Sequence, residues 1–291
     1  MYMINKISIV GGDLRIVKLA EMLVEEGAEV FTYALENADM QEEVNKCNTL
    51  EETIKKADTV LGPIPFSSNN KLINSPFSDE KIEVEKFLKM LSGKTLIAGS
   101  IKSDVLDMAK ENNIKIIDIL KREELSVLNA ISTAEGTIKI AIEETPKNLH
   151  GSNILVMGFG RIGKVLANML KGIGAKVACE ARKTSDLAWI KAYGYEPISI
   201  SNLKENLNRF DIIINTIPYI ILDKDNLENV KRDALVIDVA SNPGGVDRET
   251  IKEQKIKFIW ALSLPGKVAP VTSAEFIKET LYNIFNELKG E

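Results

Sequence analysis

Histidine is nearly absent from this chain: His150 is the only one in 291 residues. A metal site built from several histidines is thereby excluded. Cysteine occurs twice, as Cys47 and Cys179, in segments that read as different domains. Neither stands in a metal or redox spacing, so no disulfide is expected. No apolar run approaches the roughly 18 residues that a membrane span requires. The start, Met1-Tyr2-Met3-Ile4-Asn5-Lys6, has no signal-peptide h-region. The expected compartment is the cytoplasm, and no membrane partner is expected. The net charge is −5, with no basic block, which argues against nucleic acid as a partner.

What is present is an ordinary globular composition, 45% apolar and 27% charged, in a chain long enough for two domains with their own cores. Its organising stretch is Ile154-Leu155-Val156-Met157-Gly158-Phe159-Gly160-Arg161-Ile162-Gly163. An apolar strand runs into Gly-x-Gly-x-x-Gly, and Lys164 to Leu170 follows with helical spacing. Gly158 makes the turn, Gly160 admits a pyrophosphate close to the backbone, and Gly163 lets helix pack on strand. The helix start then offers free N–H groups and a positive dipole end to the phosphates. Strand and helix together supply the context that the motif needs, so Gly158 to Gly163 is assigned to a dinucleotide.

The first half repeats this theme more faintly. Lys6 to Val10 is a strand, Gly11-Gly12-Asp13-Leu14-Arg15 a turn, and a helix ends near Gly27. Ala28 to Tyr33 is the next strand. Without the full glycine motif, this half should hold something smaller than a dinucleotide. Asp13 and Arg15 sit at the carboxyl edge, where open sheets bind ligands. The bland alternatives, an N-cap for Asp13 and a solvated first-turn residue for Arg15, carry equal weight. Helix is expected at 50–56 and 80–91, strand at 58–61, 95–98 and 114–118, and a long loop at 66–79. Five strands alternating with helices imply a doubly wound parallel sheet. A helix over 123–144, ended by Pro146, joins the halves. It would bring Thr133 and Glu135 to a cleft, although a solvated helix face is the usual fate of Glu. His150 precedes the glycine strand, roughly 17 Å from its ligand-binding end, and is set aside as a catalyst.

The second strand of the dinucleotide domain, 175–180, runs into Ala181-Arg182-Lys183-Thr184-Ser185. Two cations followed by two hydroxyls suit a 2′-phosphate. Alternation along a strand puts Ala181 at the selecting position and Glu180 on the other side. NADP is therefore favoured over NAD; a Glu180 that pointed into the site would favour NAD instead. Strand ends at Thr216-Ile217-Pro218, at Ala240-Ser241 and before Pro265-Gly266 should line the nicotinamide half. A final helix over about 273–288 carries an apolar stripe suited to core or interdomain packing. The fold class expected is α/β, with two doubly wound domains: a flavodoxin- or Rossmann-like one over 1–122 for substrate, and a Rossmann one over 148–270 for NAD(P). The helix within 123–147 joins them, and a C-terminal helix over 271–291 packs at the interdomain side.

Several stretches together are more specific than the glycine motif: Gly11-Gly12-Asp13-x-Arg15, Thr133-x-Glu135-Gly136-Thr137-Ile138, His150-Gly151-Ser152, Gly158-x-Gly160-Arg161-x-Gly163, Ala181-Arg182, Asn215-Thr216-Ile217-Pro218 and Leu264-Pro265-Gly266-x-Val268-Ala269-Pro270. In them nearly the whole chain resembles the family of dipicolinate synthase A subunits. The resemblance implies a sporulation enzyme of the mother-cell cytoplasm. It would oxidise dihydrodipicolinate, or its hydrated precursor, to pyridine-2,6-dicarboxylate with a pyridine nucleotide. It also implies a partner, the flavoprotein-like B subunit of the synthase. Whether the chain forms a homo-oligomer is left open. The dicarboxylate needs a cation, for which Arg15 is the candidate. Ser100, Thr133 and the Pro265-Gly266 turn could hold the second carboxylate, and Glu135 and Asp13 are the acids available to move protons. The chain departs from the family at Ile16, Ser132 and Val271-Thr272-Ser273-Ala274, near the expected substrate. Two other readings are weighed: a two-domain NADP dehydrogenase of the methylenetetrahydrofolate or shikimate type, and, least favoured, a non-catalytic nucleotide sensor.

Overall fold

The computed structural model describes residues 4–290. Residues 1–3 and 291, the ends of the spans expected above and part of the start read for a signal, lie outside the described residues. The chain divides into two compact units, one ending at Leu128 and resuming at Ala269, the other Asn129–Val268.

The first unit contains β1 (Lys6–Val10), α1 (Leu14–Glu25), β2 (Glu29–Tyr33), β3 (Asn45–Lys46), α2 (Leu50–Lys56), β4 (Thr59–Leu61), α3 (Val84–Met90), β5 (Thr95–Ala98), α4 (Ser103–Glu111) and β6 (Lys115–Asp118). The sheet order is β3-β2-β1-β4-β5-β6, with every pairing parallel. This is the Rossmann order, which decides between the two topologies expected for this half. Central strands covered on both faces need side chains that are apolar on both; in β1, Ile7, Ile9 and Val10 are fully buried.

Two details differ from expectation. The sheet has six strands, not five. The extra one, β3, is two exposed polar residues at the edge, so no apolar pattern announces it. Helix α3 starts at Val84 rather than Glu80, because the preceding residues pair with the loop: Ile73 N–H donates to the Ile82 carbonyl and Val84 N–H to the Lys71 carbonyl. The loop at 66–79 otherwise lacks helix and strand.

Helix α5 (Glu123–Glu144) follows, its bounds those expected from sequence. The second unit then runs β7 (Asn153–Met157), α6 (Arg161–Ile173), β8 (Lys176–Ala181), α7 (Thr184–Ala192), β9 (Glu196–Ser199), α8 (Leu203–Asn206), β10 (Ile212–Asn215), α9 (Lys224–Leu227), β11 (Leu235–Asp238), α10 (Arg248–Glu253), β12 (Lys257–Trp260) and α11 (Leu264–Val268). Its sheet order, β12-β11-β10-β7-β8-β9, is the Rossmann order again. The Pro265-Gly266 segment, expected as a turn, is helical in α11. This helix lies on Gly136 of α5 so closely that a Cβ there would meet Leu264 and Val268 at 3.2 Å.

Helix α12 (Pro270–Gly290) ends the chain. It packs within the first unit, where Ala274, Ile277, Leu281 and Ile284 share a core with Ile16, Leu19 and Leu23 of α1. Among the described residues, no helix is long and apolar enough to cross a membrane.

Candidate functional site

The second unit carries a cavity of about 560 Å³ at the carboxyl end of its sheet. Its floor is the glycine turn. Gly158 adopts φ +89°, and a Cβ on it would lie 2.7 Å from both Thr216 and Ile217. A Cβ on Gly163 would lie 2.0 Å from the Gly158 carbonyl oxygen. Those two glycines are thus required by packing. Gly160 is different: a Cβ there meets nothing within 4 Å. The backbone is bare where a pyrophosphate would approach, so the cradle fits a dinucleotide.

Of the residues expected to hold the cofactor, Gly158, Phe159, Gly160, Ala181, Arg182, Lys183, Thr216, Ile217 and Pro218 all line this cavity. Arg161, Ile162 and Gly163 lie in the first turn of α6 and Thr184 in the first turn of α7, outside its walls. Ala240 and Ser241 do not reach it either. Ala240 is buried past the end of β11, its N–H given to Asp238 at 3.0 Å and its carbonyl taken by the Trp260 indole N–H at 3.0 Å.

The structure adds walls that the sequence reading missed. Asp186, Ile200, Tyr219 and Ile221 line the cavity; for Tyr219 and Ile221 the available signal was their place just after the Thr216-Ile217-Pro218 strand end. Glu180 is the main correction. Alternation does put it on the opposite face of β8 from Ala181, in register with Met157. It nevertheless lines the cavity, 1% exposed, with its Oε2 accepting the Gly158 N–H at 3.2 Å. A side chain at a strand end can fold over the edge, which alternation alone does not capture. Burial pushes the Glu180 carboxyl above its ordinary range, against the pull of the Gly158 N–H and the nearby Arg182 charge. Cys179, its neighbour in β8, is a free thiol that burial pushes up to about 12.

The first unit's candidates cluster at the turn after β1. Asp13 is the N-cap of α1, accepting from the Arg15 N–H at 3.1 Å. Its carboxylate also takes the Arg15 guanidinium side-on, Nε at 3.0 and Nη2 at 2.8 Å. Arg15 is not a solvated residue: it is 7% exposed, and Nη2 also donates to the Ile64 carbonyl. The glycine N–H that a dinucleotide would need here is already taken, since Gly12 donates to the Asn74 carbonyl at 3.0 Å. The loop at 66–79 thus occupies the anion position of this first Rossmann turn. Ser100 is exposed on the loop after β5, at φ +58°, its N–H donated to Asp118 at 3.0 Å.

On α5, Glu135 is exposed and Thr133 buried. The Thr133 hydroxyl donates to the Asn129 carbonyl at 2.8 Å, so its proton is committed within the helix. His150 is exposed ahead of β7, with its ring against Gly174, where a Cβ would sit 2.4 Å from its Cδ2. That is the amino edge of the sheet, opposite to the cavity.

Comparison with known proteins agrees with this architecture. Residues 6–120 match the family model of the N-terminal domain of the dipicolinate synthase A subunit. Residues 130–253 match that of the D-isomer specific 2-hydroxyacid dehydrogenase, NAD binding domain. The chain is 31% identical to the dipicolinate synthase A subunit of Bacillus subtilis over 98% of its own length and 97% of that protein's. The crystal structure of that Bacillus subtilis protein superposes with a TM-score of 0.90 at 30% identity, covering 100% of this chain and 98% of that one. The crystal structure of its counterpart from Bacillus halodurans gives 0.89 at 29% identity, covering 98% and 99%.

Proposed function

Because the chain belongs to the family of dipicolinate synthase A subunits, we propose that it oxidises dihydrodipicolinate, or its hydrated precursor, to dipicolinate with NADP. It is a dehydrogenase whose second unit is a nicotinamide-dinucleotide-binding domain. The observation that carries the choice of NADP is the pair Arg182 and Lys183 in the cavity wall, with Ala181 at the selecting position. Two cations beside a small residue suit a 2′-phosphate; the Glu180 carboxyl in the same wall is the feature that would favour NAD, and its Oε2 is held by the Gly158 N–H.

Conversion of dihydrodipicolinate to the aromatic pyridine removes one hydride and one proton from ring carbons. The hydrated precursor first loses its hydroxyl and a neighbouring proton as water. Bound oxidised nicotinamide supplies the hydride acceptor. The chain's own residues then have two tasks. Since the Gly12 N–H of the turn after β1 is already given to the Asn74 carbonyl, Arg15 meets a substrate carboxylate through its guanidinium alone. Its charge is shared with Asp13, so the substrate competes for a guanidinium already half satisfied. Ser100 and the backbone of Pro265 and Gly266 are candidates for the second carboxylate, and Thr133 contributes only if its bond to Asn129 is released. Glu135 takes the proton. Asp13, being cap and ion-pair partner together, is the weaker acid candidate. On this reading residues 1–122 form the substrate domain and 148–270 the cofactor domain.

Family membership also supports a flavoprotein-like B subunit for a partner and a role in the sporulating mother cell. The test is to incubate the purified chain with dihydrodipicolinate and either NADP or NAD, following reduced-nucleotide absorbance and dipicolinate formation. NADPH and dipicolinate appearing together at equal rates is the expected result. Absence of both, from protein that binds NADP and is supplied with the B subunit, would remove the assigned substrate.

A further inference from the structure

Glu180 is the one acidic side chain almost wholly buried in the wall of the dinucleotide cavity. Its Oε2 lies 3.2 Å from the N–H of Gly158, the first glycine of the phosphate turn, an N–H shared with Glu180's own carbonyl at 3.1 Å. Resting on the reading of this cavity as the dinucleotide site, we propose that Glu180 is a positioning residue beneath that turn which takes up a proton when a dinucleotide binds.

A dinucleotide brings two pyrophosphate charges to the glycine turn and excludes water from the cavity. Both effects act on a carboxyl at this position in the same direction, favouring the neutral form. Before any ligand arrives, burial already raises the Glu180 pKa, with the Gly158 N–H and Arg182 opposing it. The other ionisable groups of the cavity wall are few. Arg182 and Lys183 follow Glu180 at the end of β8, and Asp186 comes from α7. The β10 loop contributes Tyr219, and the glycine turn and Ile200 contribute no ionisable side chain. His150, the one histidine of the chain, lies at the far end of β7 and packs on Gly174. Of the two carboxyls in the wall, Glu180 is the buried one on the glycine turn, and it is the one assigned the proton taken up on dinucleotide binding. Neutral Glu180 can also donate its own O–H within the cavity, an option closed to an ionised carboxylate.

The experiment is calorimetric titration of the full chain with NAD, in buffers of different ionisation enthalpy, between about pH 5.5 and 8. NAD lacks the 2′-phosphate, which would add a proton of its own. NADP is titrated in parallel, and Glu180→Gln serves as the reference that subtracts the phosphate's proton. The expected result is proton uptake by the wild type and none by E180Q with NAD. Wild-type affinity should weaken with rising pH by at most about tenfold per unit for one proton, while E180Q stays flat. Equal proton uptake by the two proteins overturns the proposal and leaves the dinucleotide site standing. Failure of the wild type to bind either nucleotide removes the site itself, and the proposal with it. Should E180Q not fold, the wild type decides alone: pH-independent NAD affinity with no proton exchange overturns the proposal.

Discussion

Arg15, proposed to meet the substrate, has structural contacts of its own. It holds the N-cap carboxylate of α1 and the Ile64 carbonyl, and it is buried while doing so. Replacing it with Ala leaves both acceptors short of a donor. The expected cost is roughly 2–3 kcal/mol in a urea melt, together with a higher KM for dihydrodipicolinate. An unchanged KM in folded protein would take Arg15 out of substrate capture. Glu135 makes no such structural contribution on its exposed helix face. Glu135→Gln should therefore leave the melt alone and lower kcat with little change in KM; wild-type kcat would acquit it of proton transfer. Arg182 is also exposed, so its contact with a 2′-phosphate is partly screened. Arg182→Ala should weaken NADP by about 1.5 kcal/mol, roughly tenfold, and spare NAD. Equal losses in the two affinities, read by titration, would place the 2′-phosphate elsewhere.

At the scale of elements, β7, the glycine turn and α6 act as one unit, and its glycines separate packing from binding. Gly163 has no room for a methyl, because a Cβ would press on the Gly158 carbonyl at 2.0 Å. Gly163→Ala must push α6 away from β7, an overpacking cost of roughly 1–3 kcal/mol, and should lose dinucleotide binding as well. Gly160→Ala meets open space and should keep the melting temperature while losing affinity. Parallel melts and nucleotide titrations of the two variants check this; identical behaviour would refute the division of roles. The first unit repeats the architecture with the anion position closed by Asn74. The same topology thus presents a dinucleotide cradle in one half and a filled turn in the other.

For the molecule as a whole, ionisation sets an acid limit. Burial works against the Asp211 carboxylate. Even so, the Asn153 N–H and the Lys147 and Lys231 ammonium groups hold it below its ordinary 3.8. Glu26 is likewise held below 4.5, with Lys278 and Tyr282 of α12 outweighing burial. Groups depressed in the folded state contribute stability that is present above their unfolded pKa and lost as pH falls. Glu180 has the opposite sign, contributing below 4.5 and losing that contribution as pH rises through its raised value. Urea midpoints should therefore fall steeply below about pH 4.5, with a shallower fall for Asp211→Asn. A midpoint constant down to about pH 3 would contradict the assignment of these pairs.

What the sequence determined by itself is whatever short-range pattern encodes. The alternation of strand and helix, the bounds of α5 and the glycine turn all follow from periodicity and from residues a few positions apart. So does the placement of His150 at the amino edge of β7, since strand direction alone fixes it. What only the tertiary structure decided depends on contacts between distant segments. Ile64 and Asn74 reach back to the turn after β1, α11 lies on Gly136, and β3 exists only because β2 offers it an edge. Glu180 is the sharpest case. Its strand position sends it to one face, yet the three-carbon reach of its side chain returns the carboxyl to Gly158, 22 residues earlier. A flexible side chain at a strand end is placed by what surrounds it, and that environment is assembled only when β7, β8 and the β10 loop meet.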